Sequence, residues 1–422
     1  MLESLISTEL LTYLHTHNLI SKNQHGFLKR HSTCTNLLES LNDWTISLSN
    51  HRSVLIAYID FARAFDSISY PKLFIKLDGY GINGNLLFWI KAFLFSRTQS
   101  VRVGSHLSSI CSVSSGVPQG SVLGPILFLL FINDVADNFH NNVSSKLFAD
   151  DIKLYTELTS PSSVTNFQNH LDLIESWATI WQIGISHSKC SILELGSTPS
   201  HSSFSITNNC IQSSKLVKDL GVYVDSKLTF SDHIHDIVSR AKQRLSLIYR
   251  CFLSRDTTNF RRAYTVYIRP ILEYASPIWS PSLVYLINEV ESVQRYFTRR
   301  LPGLGNLSYA ERLSIIKLKS LEHRRLIADL IIVFNIVHGL SSLELDYFFD
   351  VSNKKNLRGH QFHFTIPLVK LNLRRFFFSH RVLNVWNSLP SDIVSAGNTA
   401  QFKRAINRYD FSKFLVFPCV LC

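Results

Sequence analysis

The chain has 422 residues and a mass of 48.3 kDa, too much for one ordinary hydrophobic core, so two or three packed regions are expected. A formal charge of +12 with 45% apolar residues suits a globular protein with a polyanionic partner, of which nucleic acid is the commonest. Seven cysteines without repeated spacing exclude a disulfide framework and fit a reducing compartment. The lone C-x-x-C of Cys419 and Cys422 has no second pair to complete a zinc site. The apolar run at 126–132 is far short of the ~20 residues a bilayer span needs, so no membrane partner is expected.

Residues 2–50 read as mainly helical around the loop SKNQHGFLKRHST. Met1 is the only methionine, and the segment after it reads as mid-helix with no cap, as in a frame entered at an internal Met. SVLIAYID (53–60) is a near-continuous apolar run ending on a carboxylate, the pattern of a strand buried on both faces. YPKLFIKLDGYG and LLFWIKAFLF read as helices, and SVRVGSHLSSICSVSSG as a hairpin. GVPQGSVLGPILFLLFINDV opens as a Gly- and Pro-rich loop and becomes an apolar helix. SKLFADDIKLYTEL alternates around an acid pair, which predicts a hairpin with Asp150 and Asp151 at its tip. A helix with Trp177 and Trp181 follows, then the strand CSILELG, a loose Ser- and Asn-rich stretch at 197–214, and the strand-like KLVKDLGVYVDSKLTF. From about His233 to about Leu340 the periodicity is helical, and the remainder is mixed and rich in Phe and Arg.

Two adjacent carboxylates inside a run of buried-sheet character cost several kcal/mol unless the turn is solvated or a cation is held there. If residues 53–60 and the FADD hairpin are neighbours in one sheet, Asp60, Asp150 and Asp151 converge. Hard oxygen donors of this kind suit magnesium, and two such ions about 4 Å apart clamp the attacking and leaving oxygens of an in-line phosphoryl displacement. Gly116, Gly120 and Gly124 in SGVPQGSVLGP allow close backbone approach to a ligand, with the Gln119 amide beside Pro118. An ordinary helix entry is the plainer reading of the same loop.

Taken in order, AYIDFARAFDSI, GVPQGSVLGPILFLLFINDV and FADD resemble the palm of reverse transcriptases, in particular the non-LTR, LINE-type, jockey-like retrotransposon enzymes. QHGFLKRHST upstream, and WQIGISHSKCSILELG, LGVYVDSKLTF, YTVYIRPILEYASPIWSP, VESVQRYFTRRLPGL and RVLNVWNSLPSDIV downstream, extend the resemblance over nearly the whole chain. It implies an α+β right-hand polymerase fold: partial fingers at 1–52, a palm with an antiparallel sheet at 53–232, a helical thumb at 233–320 and a C-terminal extension at 321–422. The implied reaction is RNA-templated transfer of dNTPs to a DNA primer 3′-hydroxyl with two Mg2+ ions, Mn2+ being a possible substitute.

By the same resemblance Asp60, Asp150 and Asp151 are the metal-binding and catalytic triad, with the Phe61 carbonyl as a further ligand. Phe65 is the aromatic gate against a 2′-hydroxyl, Gln119 and Gly120 belong to the nucleotide loop, and Ala149 leaves room for the primer end. Lys189 stands near the triphosphate as a general acid for pyrophosphate. Leu220 and Gly221 lie in the hairpin that grips the primer. Lys242, Arg244, Arg250, Arg295, Arg299 and Arg300, with Tyr249 and Tyr296 interleaved, would track phosphates, although each singly reads as a solvated helix face. Asp66 is typical of the family and has no assigned role. Leu28 stands where many relatives have Arg, with Lys29 or Arg30 as substitutes. The chain begins too late for most of the fingers and for an endonuclease domain. That start favours a second reading, a catalytically silent or domesticated nucleic-acid-binding protein. A two-metal nuclease would explain the carboxylates but not Phe65 or Gln119. Reverse transcription primed at a genomic target would imply the nucleus.

Overall fold

The computed structural model describes residues 1–140, 142–197, 202–252, 256–352 and 360–417, so Cys419 and Cys422 fall outside the described residues. The apolar run after Arg52 forms the strand its composition predicts. Strand β1 (Ser53–Ile59) has every residue but Tyr58 buried, which requires cover on both faces. It is the middle strand of a five-stranded sheet. The others are β2 (Val143–Phe148), β3 (Asp151–Leu158), β4 (Ser191–Leu195) and β5 (Gln212–Ser214). β1 pairs antiparallel with β3 on one side and β4 on the other, and β2 pairs antiparallel with β3.

Two details differ from expectation. The hairpin turn consists of Ala149 and Asp150, because Phe148 pairs with Asp151, so Asp151 opens β3 instead of sharing the tip. The stretch expected to be loosest contains a small hairpin, Ser205–Ile206 with Asn209–Cys210, and then β5, which runs parallel to β4 at the sheet edge. A parallel return needs a crossover of a dozen or so residues, and the segment between Leu195 and Gln212 supplies it.

Helices pack on the sheet in this first unit, which comprises residues 1–36 and 51–215. They are α1 (Leu2–Thr16), the start of α2 (Thr33–Ser49), α3 (Tyr70–Gly79), α4 (Gly84–Leu94), α5 (Gly124–Ile132) and α6 (Pro161–Trp181). Leu55, Ala57 and Ile59 of the sheet share one core with Leu73 and Leu77 of α3, Leu127 and Phe131 of α5, and Phe167 and Ile174 of α6. Full burial of each of these leucine, isoleucine and phenylalanine side chains is worth roughly 1.5–3 kcal/mol. Ser160 caps α6 with Pro161 in its first turn, and the helix ends at Gln182 in the left-handed region, φ +59°. Lys76 of α3 is buried. Its ammonium is held by the Phe131 carbonyl and the Asp134 carboxylate and lies 3.8 Å from the centre of the Trp181 ring. Desolvation lowers its pKa to about 8 despite Asp134.

The second unit comprises residues 37–50 and 216–422. Strands β6 (Leu216–Asp219) and β7 (Val222–Asp225) form a hairpin that leads into α7 (Ser231–Cys251). Helices α8 (Val284–Arg299) and α9 (Leu321–Val337) follow. The α9 N-terminus is closed from inside. The fully buried Glu291 carboxylate accepts from Leu321 N–H at 3.1 Å, and Ser320 Oγ accepts from His323 N–H. An anion against free helix N–H groups is the arrangement the helix dipole favours. Among the described residues no helix is long and apolar enough to cross a membrane. The architecture is α+β, with helices packed on the mostly antiparallel sheet of the first unit.

Candidate active site

The carboxylates are placed by strand register. β1 and β3 pair with Ile59 opposite Ile152, so Asp60, the next residue, ends β1 beside the FADD turn. Ala149, the first turn residue, has φ +56°, a left-handed conformation that a small side chain tolerates best. Asp150 follows it, half-buried. Burial pushes its carboxyl pKa up, and the Asp60 charge pushes it further, against the lowering effect of Lys189. Asp60 Oδ2 is buried without a well-formed hydrogen bond, and Lys189 Nζ lies 3.1 Å from it, presented by the short turn His187–Lys189. Phe61 forms an isolated antiparallel bridge with Ile185, bounded by Ala62 N–H to Gly184 O and Ser186 N–H to Asp60 O. A pair so bounded directs the Phe61 carbonyl away from Ile185.

The structure thus brings Asp60, Asp150 and Lys189 together. Asp151 is exposed at the start of β3, and among the described residues no three acidic, His or Cys side chains stand close enough to hold a metal ready-made. The donors still suit a hard divalent cation. Asp60 offers a buried oxygen without a well-formed hydrogen bond, and Asp150 carries a desolvation cost that a cation would offset.

The GVPQG loop is strapped to the turn after Asp60. Gly116 N–H donates to Ile68 O, Val117 N–H to Phe65 O at 2.8 Å, Ser115 Oγ to Asp66 O, and Gln119 Nε2 to Asp66 Oδ1 at 2.9 Å. Gly116, at φ +82°, has no room for a Cβ, which would lie 2.7 Å from Asp66 Cα. Gly120 has φ +80° and open space around it. Phe65 stacks on Phe128 with ring centres 4.1 Å apart and meets the edge of Phe27, so its ring is fixed in direction.

Sequence reasoning used QHGF only as a landmark and missed what it does. Gln24 is buried, and its Oε1 accepts from Ala149 N–H at 2.9 Å and from Gly26 N–H at 2.7 Å. Asn23 and His25 bond the Leu147 backbone on either side, and Asn36 Nδ2 donates to Leu147 O. A Cβ on Gly26 would lie 2.4 Å from Ala149 N. The loop therefore clamps the turn that carries Asp150. No local pattern signals this role, because the partner lies 125 positions away in the chain. Leu28 is buried, while Lys29 and Arg30 are exposed.

In the second unit Leu220 (φ +44°) and Gly221 (φ +87°) make the two-residue turn between β6 and β7. Tyr274 closes over that turn, its hydroxyl donating to Leu220 O and its ring 3.2 Å from where a Gly221 Cβ would lie. Lys242, Arg244 and Arg250 of α7, and Arg299 and Arg300 at the end of α8, are exposed. Arg300 lies over the Tyr296 ring, 4.6 Å from its centre. Arg295 does not join them. Its guanidinium donates to Asn288 Oδ1 and lies 4.4 Å from the Phe417 ring centre, so it is spent on holding its own unit together. Tyr249 is likewise buried, its hydroxyl donating to Phe297 O.

The profile of the family described as reverse transcriptase (RNA-dependent DNA polymerase) matches residues 1–238. The RNA-directed DNA polymerase from mobile element jockey of Drosophila melanogaster is 29% identical over 314 residues, 72% of this chain and 34% of the relative. The probable RNA-directed DNA polymerase from transposon X-element of the same species is 26% identical over 71% of this chain and 34% of the relative. The chain therefore spans about a third of the length of the curated relatives it matches. Among solved structures, the apo telomerase of Candida tropicalis aligns with 81% of this chain and 54% of its own, at 12% identity and a TM-score of 0.43. With more than half its length matched by the family profile, the chain belongs to the reverse transcriptase (RNA-dependent DNA polymerase) family.

Proposed function

We propose that the chain is an RNA-directed DNA polymerase of a LINE-type mobile element, joining dNTPs to the 3′-hydroxyl of a DNA primer on an RNA template. The observation that carries this reading is the pairing of Asp60 with Asp150 at a strand end, with the Gln119 loop bonded to the turn after it. Asp60, Asp150, Asp151 and the Phe61 carbonyl would hold divalent ions, magnesium or in its place manganese. Bound there, such ions would supply Lewis-acid polarisation of the attacking hydroxyl and of the phosphates. Phe65, fixed by Phe128, would exclude a 2′-hydroxyl. Gln119 and the open backbone at Gly120 would meet the nucleotide, and Lys189 would hold the proton that leaves with pyrophosphate. Leu220 and Gly221 would support the primer. Lys242, Arg244, Arg250, Arg299 and Arg300 would bind phosphates without reading sequence. In this division residues 1–52 serve as fingers, 53–232 as palm, 233–320 as thumb and 321–422 as an extension.

One observation favours a second reading, a nucleic-acid-binding protein without polymerase activity: the Lys189 ammonium sits on the Asp60 carboxylate. Primer extension on an RNA template with magnesium and dNTPs separates the two. The parent chain should extend and Asp150→Asn should not. Template–primer binding by both proteins with extension by neither would establish the second reading.

A further inference from the structure

We infer that Asp66 is a positioning residue that fixes the polarity of the Gln119 side chain, so that the loop presents a hydrogen-bond acceptor to the bound nucleotide. The inference rests on the polymerase reading and gives a role to a residue that neither the motif resemblance nor the comparisons assign. The Gln119 amide has two chemically different ends, one donating through Nε2 and one accepting through Oε1. A glutamine on an open surface turns either end outward. Here Nε2 donates to Asp66 Oδ1 at 2.9 Å. An ionised carboxylate only accepts, so the NH2 end must face it and the reverse orientation would set Oε1 against Oδ1.

The backbone that carries this carboxylate is held in place. The Asp66 carbonyl accepts from Ser115 Oγ at 2.9 Å, its N–H donates to Arg63 O at 2.9 Å, and its Cα packs against Gly116 with no room for a Cβ between them. Val117 N–H on Phe65 O ties the same two segments one residue along. The loop and the turn are thus one rigid piece, in which Asp66 and Gln119 are paired to each other at the surface. Oε1 is left at the far end of the amide, available to a donor on the base or sugar of a bound nucleotide. A strap made only to hold the loop would not need the side-chain pair, because the backbone bonds of Gly116 and Val117 already do that.

The test exchanges the two chemistries. Gln119→Glu places two carboxylates face to face. Asp66→Asn/Gln119→Glu restores the bond in the opposite sense, with the introduced asparagine amide donating to the introduced glutamate carboxylate, and again leaves an acceptor outward. The KM for dNTP in primer extension should rise about tenfold in Gln119→Glu, the size of one lost hydrogen bond to the nucleotide, and return to within about threefold of the parent in the double variant. The kcat should change less than KM. The same three proteins are compared for dNTP-dependent stabilisation of a chain-terminated primer–template complex, a binding readout that needs no chemistry. The same ranking there with no extension by the parent would refute polymerase activity and keep the positioning role. A Gln119→Glu protein equal to the parent, a loss that the second substitution does not rescue, or a parent that binds no dNTP would each overturn the inference. Circular dichroism and urea unfolding of all three confirm that folded proteins are compared. Rescue seen in unfolding but not in KM would make the pair a structural strap and overturn the inference as well.

Discussion

At the scale of single residues, the FADD turn depends on a glutamine that lies 125 positions away in the chain. Ala149 is held at positive φ, and its N–H would be buried without a partner if Gln24 were absent. Gln24→Ala removes one acceptor and strands two N–H groups, those of Ala149 and Gly26, at roughly 1–3 kcal/mol each where water cannot reach them. The turn that carries Asp150 would then relax toward an ordinary conformation and move its carboxylate from Asp60. The expected outcome is a fall in the primer-extension rate of at least about tenfold at equal fraction folded, since a shift of about 1 Å at a reacting centre can cost more than that. Unfolding by urea supplies the correction for stability. Retention of the parent rate in a Gln24→Ala protein would mean that the β2–β3 pairing alone sets the turn. Gly26→Ala makes an independent check, because its Cβ would enter the Ala149 backbone.

At the scale of elements, the exposed cations of α7 and α8 have two competing uses. Arg299 sits in the last turn of α8, where a cation also complements the helix dipole, and Arg300 is the capping residue beyond it. The two uses separate by salt. If these side chains meet phosphates, Arg299→Gln/Arg300→Gln should weaken template–primer binding for every sequence tested, and should reduce the slope of log K against log salt by about two. If they only cap α8, the melting temperature falls and the salt slope is unchanged. Arg295→Gln is the internal control, since its guanidinium is engaged by Asn288 and Phe417; it should affect stability and leave the slope alone. This contrast marks what the sequence could reveal. β1 was legible because an unbroken apolar run encodes burial on both faces, and the FADD hairpin because alternation encodes one. The turn's extent was not, since alternation reads the same whether Asp151 ends the turn or begins the strand. Arg295 and Arg299 are one helical turn apart and look alike in sequence; contacts with Asn288 and with Phe417, from the far end of the chain, tell them apart. The Gln24 clamp was hidden for the same reason, because local pattern carries no information about a partner so distant in sequence.

At the scale of the whole molecule, buried histidines rather than the basic balance of the chain set how the fold fails in acid. The second unit buries His233 and His323, and desolvation lowers each to a pKa of about 4. His233 accepts through Nδ1 from Tyr223 N–H and packs on Trp279, and His323 meets the edge of Phe411. Both must therefore be neutral in the folded chain at neutral pH, whereas in the unfolded chain each takes up a proton near the ordinary value of about 6.5. Between those values the unfolded state binds more protons than the folded state, so stability is complete above about pH 6.5 and drains away as the pH falls toward 4. Each histidine is worth roughly 3 kcal/mol over that interval, enough for the two together to offset much of the stability of an ordinary domain. Self-repulsion of a chain already at +12 would act in the same direction, but it is screened by salt, whereas a buried imidazole is not. Urea unfolding followed from pH 7.5 to 4.5 at low and at high salt separates the two contributions. The expected result is a loss of stability with falling pH that persists at high salt and becomes shallower in a His233→Gln protein. A decline that salt abolishes would assign the acid sensitivity to net charge instead, and the buried histidines would then be as readily protonated in the fold as out of it.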